Sequence, residues 1–109
     1  VGTNPIDVKI VDLNQDGKVD LVVSNQLSNS VSTLLGNGDG TFASQVVRSV
    51  GTNPWYIATG DLNGLGYPDI VVANFGSNSI SVLLNDVLGV SISSTSLNSR
   101  VALVLSIQN

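Results

Sequence analysis

The chain has 109 residues, one domain's worth at most. Its net charge is −4, with Lys9, Lys18, Arg48 and Arg100 as the only cations, so no basic stripe exists for phosphates and nucleic acid is disfavoured as a partner. Cysteine and histidine are absent, which excludes thiol nucleophiles, disulfides, structural zinc and histidine acid–base chemistry. The longest apolar run, Val101 to Leu105, is far short of the roughly 20 residues that a spanning helix needs. There is no Glu, and polarity comes mainly from Ser, Asn, Thr and Gly, a mixture that favours strands joined by tight turns. The chain opens on Val1 and shows no signal peptide, so it is expected to be processed or an excerpt.

In chain order, Ile6, Val8 and Ile10 alternate as a strand and lead into Asp12-Leu13-Asn14-Gln15-Asp16-Gly17-Lys18-Val19-Asp20. Val19 to Val23 is a short β-branched run that reads as a buried strand, and a turn at Ser28-Asn29 leads to a third strand over Val31 to Leu35. Gly36-Asn37-Gly38-Asp39-Gly40 is a hairpin signal; with no helix after it and no closing Lys it is not a phosphate cradle. Thr41 to Ser49 supplies a fourth strand. Val1-Gly2-Thr3-Asn4-Pro5 then recurs as Val50-Gly51-Thr52-Asn53-Pro54, and the same offset of 49 residues pairs Asp12 with Asp61, Asp20 with Asp69 and Asn25 with Asn74. Such a period points to solenoids, propellers or arrays. Four antiparallel strands per repeat describe a propeller blade. The fold class expected is therefore all-β, with two antiparallel blades, 1–49 and 50–86, the second lacking its fourth strand. The tail, 87–109, adds further strands.

Within this frame the Asp12–Asp20 loop, Leu21-Val22-Val23-Ser24-Asn25, Asn29 to Leu35 and Gly36 to Phe42 together resemble the FG-GAP (VCBS) repeats of integrin-like β-propellers. The likeness covers about residues 1–86. It implies extracellular propellers, mostly seven-bladed, that hold calcium in such loops and serve adhesion or ligand binding without catalysis. Val82-Leu83-Leu84-Asn85 is similar to the end of a last blade, and the tail with Ser96-Leu97-Asn98 is similar to the start of an Ig-like domain; alternatively, residues 87–109 are expected to serve as a donor strand.

Calcium takes six to eight oxygens at roughly 2.3–2.6 Å, and the first loop sets oxygen-bearing side chains at alternate positions with a glycine at its turn. EF-hand and dockerin loops are rejected, because Val23 stands at the twelfth position and the flanks are strands. The expected ligands are Asp12, Asn14, Asp16, the Lys18 carbonyl and Asp20. An Asx turn closed by its own hydrogen bonds is the plainer alternative. The second loop offers Asp61, Asn63, the Tyr67 carbonyl and Asp69, but Leu65 replaces the counterpart of Asp16, so it is the weaker site. Trp55 is expected in the core, Tyr56 on the surface, and Phe42 and Phe75 as packing residues. No nucleophile–base pair can be assembled, and no enzyme is expected.

Two blades leave an apolar face on each side. Two resolutions stand open: flanking blades in a longer exported chain, or copies of the chain completing one another. The function expected is a calcium-stabilised adhesion or surface-assembly module, with a protein or glycan as ligand. The rivals are an extracellular filament subunit and an accessory region of a carbohydrate-active enzyme.

Overall fold

The computed structural model describes residues 1–85, so the strands expected in the tail, 87–109, lie outside the described residues. Seven strands are present: β1 (Pro5–Val11), β2 (Asp20–Asn25), β3 (Ser30–Leu34), β4 (Val46–Ser49), β5 (Pro54–Gly60), β6 (Asp69–Asn74) and β7 (Ser79–Leu83). They form two antiparallel sheets, β1-β2-β3-β4 and β5-β6-β7. Among the described residues there is no α-helix, only a 3₁₀ turn at Phe75–Ser77. The expected fourth strand contracts to Val46–Ser49, because Gly36 to Gly40 and the residues after it form a wide turn held by a single bridge between Gly36 and Phe42.

The two sheets are built alike. Asn29 and Asn78 adopt φ of 51° and 50° at the β2–β3 and β6–β7 turns, a left-handed conformation that Asn tolerates better than most residues. Inside each turn a buried amide ties the strands: Asn25 Nδ2 donates to Ser30 Oγ and Ser32 Oγ at 3.2 and 2.9 Å, and Asn74 Nδ2 donates to Ser79 Oγ and Ser81 Oγ at 3.3 and 2.9 Å.

Side chains alternate across a strand, so each sheet has two faces. Leu13, Val22 and Val31 of the first sheet pack against Ile57, Ile70, Val72 and Leu83 of the second, and this joint is the hydrophobic core. Polar contacts fix its register. Ile57 N donates to Asp7 Oδ2 at 3.0 Å, Ser24 Oγ donates to the Trp55 carbonyl at 2.7 Å, and Asn53 N donates to Asn29 Oδ1 at 2.9 Å. β1 and β5 are both bulged near their starts, which frees the backbone around Trp55 to make such contacts.

Among the described residues the opposite face of the first sheet is open: Ile6, Val8 and Ile10 are 37%, 52% and 70% exposed. Three aromatic residues differ from expectation. Trp55 is only half-buried, against Phe75 with ring centroids 5.6 Å apart, and Phe75 itself is exposed. Phe42 lies at the edge of the hairpin turn and is also exposed. The physical reason is common to Trp55 and Phe75: they flank the open face of the second sheet, where nothing described covers them.

Ile70→Ala should therefore destabilise the chain by about 2–5 kcal/mol, because it opens a void in the joint. Ile10→Ala on the open face should cost within about 0.5 kcal/mol in dilute protein. Urea unfolding of both variants checks the contrast, and equal losses would place the core elsewhere.

Candidate metal loop

The first loop leaves β1 and enters β2, and its backbone is held by its own carboxylates. Asp12 Oδ1 and Oδ2 accept from Asp16 N at 3.3 Å and Gly17 N at 2.9 Å, and Asp16 Oδ1 accepts from Lys18 N at 2.9 Å. Gln15 and Gly17 take φ of 60° and 85°, and the counterparts Gly64 and Gly66 take 76° and 92°, so the second loop makes the same turn. There Asp61 Oδ1 and Oδ2 accept from Gly64 N and Gly66 N, both at 2.9 Å, and Asn63 Oδ1 accepts from Leu65 N at 3.3 Å. The turn thus survives the loss of one carboxylate at Leu65.

Asp12, Asn14 and Asp16 converge. The inward terminal atom of the Asn14 amide lies 3.0 Å from Asp16 Oδ1 and 3.2 Å from Asp12 Oδ1. An amide presents oxygen or nitrogen in the same shape, and its partners decide which. Nitrogen inward, Asn14 donates to both carboxylates and the turn closes on itself. Oxygen inward, three side-chain oxygens face one another with no donor among them, an arrangement that a cation would hold. Oxygens bound to calcium at roughly 2.4 Å stand about 2.8–3.4 Å apart for ligand angles of about 72–90°, and the two Asn14 spacings are compatible with that range as they are with hydrogen bonds. The donor set also suits a hard cation, being oxygen throughout. Two carboxylates and an amide meet here; among the described residues no three acidic, histidine or cysteine side chains form a cluster.

Asp20 and Asp69 have backbone partners of their own. Both are fully buried. Asp20 Oδ2 accepts from Leu13 N at 2.8 Å and Oδ1 from Gly36 N at 2.7 Å. Asp69 repeats the pattern with Leu62 N and Asn85 N, both at 2.7 Å. One carboxylate therefore pins the start of the first loop to the exit of the third strand. At Gly36 the approach is so close that a Cβ would lie 2.0 Å from the Val19 carbonyl. Lys18 and Tyr67 occupy the same place in their two loops, each two residues before its aspartate.

In the sequence Asn85 has no role beyond its place in the Val82-Leu83-Leu84-Asn85 ending. It is buried and its Nδ2 donates to the Leu13 carbonyl at 2.6 Å and the Pro68 carbonyl at 3.0 Å, so the second sheet grips the first loop. Leu13 itself is buried in the joint. Neither that ending nor the offset that pairs Asn85 with Gly36 hints at a contact between sheets. In the hairpin turn, hydrogen bonds from the Thr41 side chain and then its backbone hold Asp39 below the usual aspartate range.

The FG-GAP-like repeat family matches residues 12–72, which spans the first loop, both sheets in part and the second loop. The chain belongs to the FG-GAP-like repeat family. Repeats of this family are generally non-catalytic modules and are typically found in extracellular proteins. No curated protein and no solved structure matches the chain. No helix among the described residues is long and apolar enough to cross a membrane.

Asp20→Ala should destabilise this FG-GAP-like repeat by about 2–6 kcal/mol with or without calcium, because two buried N–H groups lose their acceptor at about 1–3 kcal/mol each. Thermal melting in calcium and in chelator checks this. A loss confined to the calcium buffer would make Asp20 solely a metal ligand.

Proposed function

We propose that the chain is a calcium-stabilised, non-catalytic module of an extracellular protein, used for adhesion or surface assembly. The observation that carries this reading is the convergence of Asp12, Asn14 and Asp16 at spacings suited to a hard cation. Asp12, Asn14, Asp16 and the Lys18 carbonyl would hold the ion, with Asp20 below them using lone pairs that its two N–H contacts leave free. Calcium supplies charge neutralisation and coordination there, and no chemistry.

The residues of the chain do the mechanical part. Loop closure fixes Leu13, which is packed in the joint and held through its carbonyl by Asn85, so an ion in the loop and the packing of the two sheets stabilise one another. What an ordered loop offers is a rigid set of exposed turns for a protein or glycan to meet. The second loop would take calcium more weakly through Asp61, Asn63, the Tyr67 carbonyl and Asp69, since affinity follows the number of charged ligands.

Extracellular modules bind calcium at about 10⁻⁴–10⁻³ M. Calcium at ten times the dissociation constant should stabilise by about 1.4 kcal/mol and raise the melting temperature by about 5–10 °C. Asp16→Ala should abolish that rise while leaving the melt in chelator within about 2 °C of wild type. Scanning calorimetry in the two buffers reads both. Identical melts of wild type in calcium and chelator would end this reading of the loop.

A further inference from the structure

The two loops differ at a second position besides Leu65. Asn14 is followed by Gln15, whereas its counterpart Asn63 is followed by Gly64. The backbone nitrogen after an asparagine can attack that asparagine's Cγ, and a glycine there leaves the nitrogen unhindered and the backbone free to bend. The chain holds two such pairs, Asn37-Gly38 and Asn63-Gly64.

Their surroundings are unlike. Asn37 Nδ2 donates to Thr41 Oγ1 at 2.9 Å and Asn37 N donates to the Thr41 carbonyl at 3.0 Å, so both amide and backbone are held in the turn. The Asn63 side chain is held through its oxygen, which accepts from Leu65 N at 3.3 Å. Its buried Nδ2 has no hydrogen-bond partner among the described residues. The Leu65 N–H polarises the Cγ carbonyl and meets the charge that gathers on Oδ1 when Cγ becomes tetrahedral. Gly64 N in turn donates to Asp61 Oδ1 at 2.9 Å, which sets a carboxylate on the proton that the nucleophile must lose. Gly64 is exposed, so water reaches the product of the attack.

We propose that Asn63 is a deamidation site, and that the aspartate formed gives the second loop a third carboxylate beside Asp61 and Asp69. Gly64 N loses its proton and bonds to Asn63 Cγ; the Cγ–Nδ2 bond breaks, and ammonia leaves with that proton. One water then opens the cyclic imide at either carbonyl, to aspartate or isoaspartate. Water enters, ammonia departs, and nothing is oxidised or reduced. Because Nδ2 has no acceptor, the oxygen that replaces it forfeits no hydrogen bond. In the first loop the Gln15 side chain hinders the same attack, and Asp16 already supplies the carboxylate. The effect on calcium rests on the reading of the loops above; the modification does not.

Warming the full chain at mildly alkaline pH in chelator, followed by peptide mass spectrometry, tests the site. Asn63 should undergo the amide-to-acid mass change about fivefold or more faster than Asn37, with aspartate among its products. Gly64→Gln copies the residue that takes the same left-handed φ in the first loop, and should slow the change about tenfold or more. Asn37 should convert in that variant as in wild type, which separates the local chemistry from unfolding. Equal rates at Asn63 and Asn37, or an unaltered rate in Gly64→Gln, would overturn the proposal. Asn63→Asp stands for the product, and Asp16→Ala silences the first loop. Calorimetric titration with calcium should show the double variant binding about tenfold more tightly than Asp16→Ala alone. No gain there, while wild type keeps its calcium-dependent rise in melting temperature, would overturn the restored carboxylate. Loss of that rise in wild type, with Asn63 still converting first, would sink the metal reading alone.

Discussion

A buried carboxylate that accepts two backbone N–H groups is the constraint on which each sheet depends. Asp20 ties Leu13 N to Gly36 N, and Asp69 ties Leu62 N to Asn85 N. A carboxylate removed from water is costly unless its oxygens are bonded, and each bonded N–H would otherwise be a buried orphan. The two requirements answer one another. The consequence is geometric: the loop after the first strand and the chain after the third are fixed to the start of the second.

Fixing that loop places its residues in two directions. Leu13 turns into the joint between sheets, where it joins Val22 and Val31 against Ile57, Ile70 and Val72. Asp12, Asn14 and Asp16 lie on the loop's other side, where the Asn14 amide reaches both carboxylates. Loop order and sheet packing are thus coupled through a single segment of backbone. Asn85 reinforces the coupling from the other sheet, through the Leu13 carbonyl.

The repeat was plain in the sequence because the physical demands repeat. Asn29 and Asn78 stand where the turn needs a left-handed residue, and Asn25 and Asn74 where two serine hydroxyls need a donor. Strand positions were equally legible, since β-branched runs between Gly, Asn and Asp turns leave few alternatives. Aromatic placement was not. Trp55 and Phe75 look like core residues by type, yet they border an open face, and only the covering of a face decides burial. Nor did spacing separate the roles of Asp12 and Asp20, both of which bear oxygens at loop positions.

The sequence by itself determined the strand-rich class, the duplication, the family likeness and the oxygen-bearing loop, because these depend on residue type and short-range order. Tertiary structure alone decided which aspartates flank the Asn14 amide and which clamp backbone within. It also decided that Asn85 spans the joint and that Asp7 answers the N–H groups of both Val8 and Ile57. Those outcomes depend on the distance between residues far apart in the chain, set when the second sheet packs on the first.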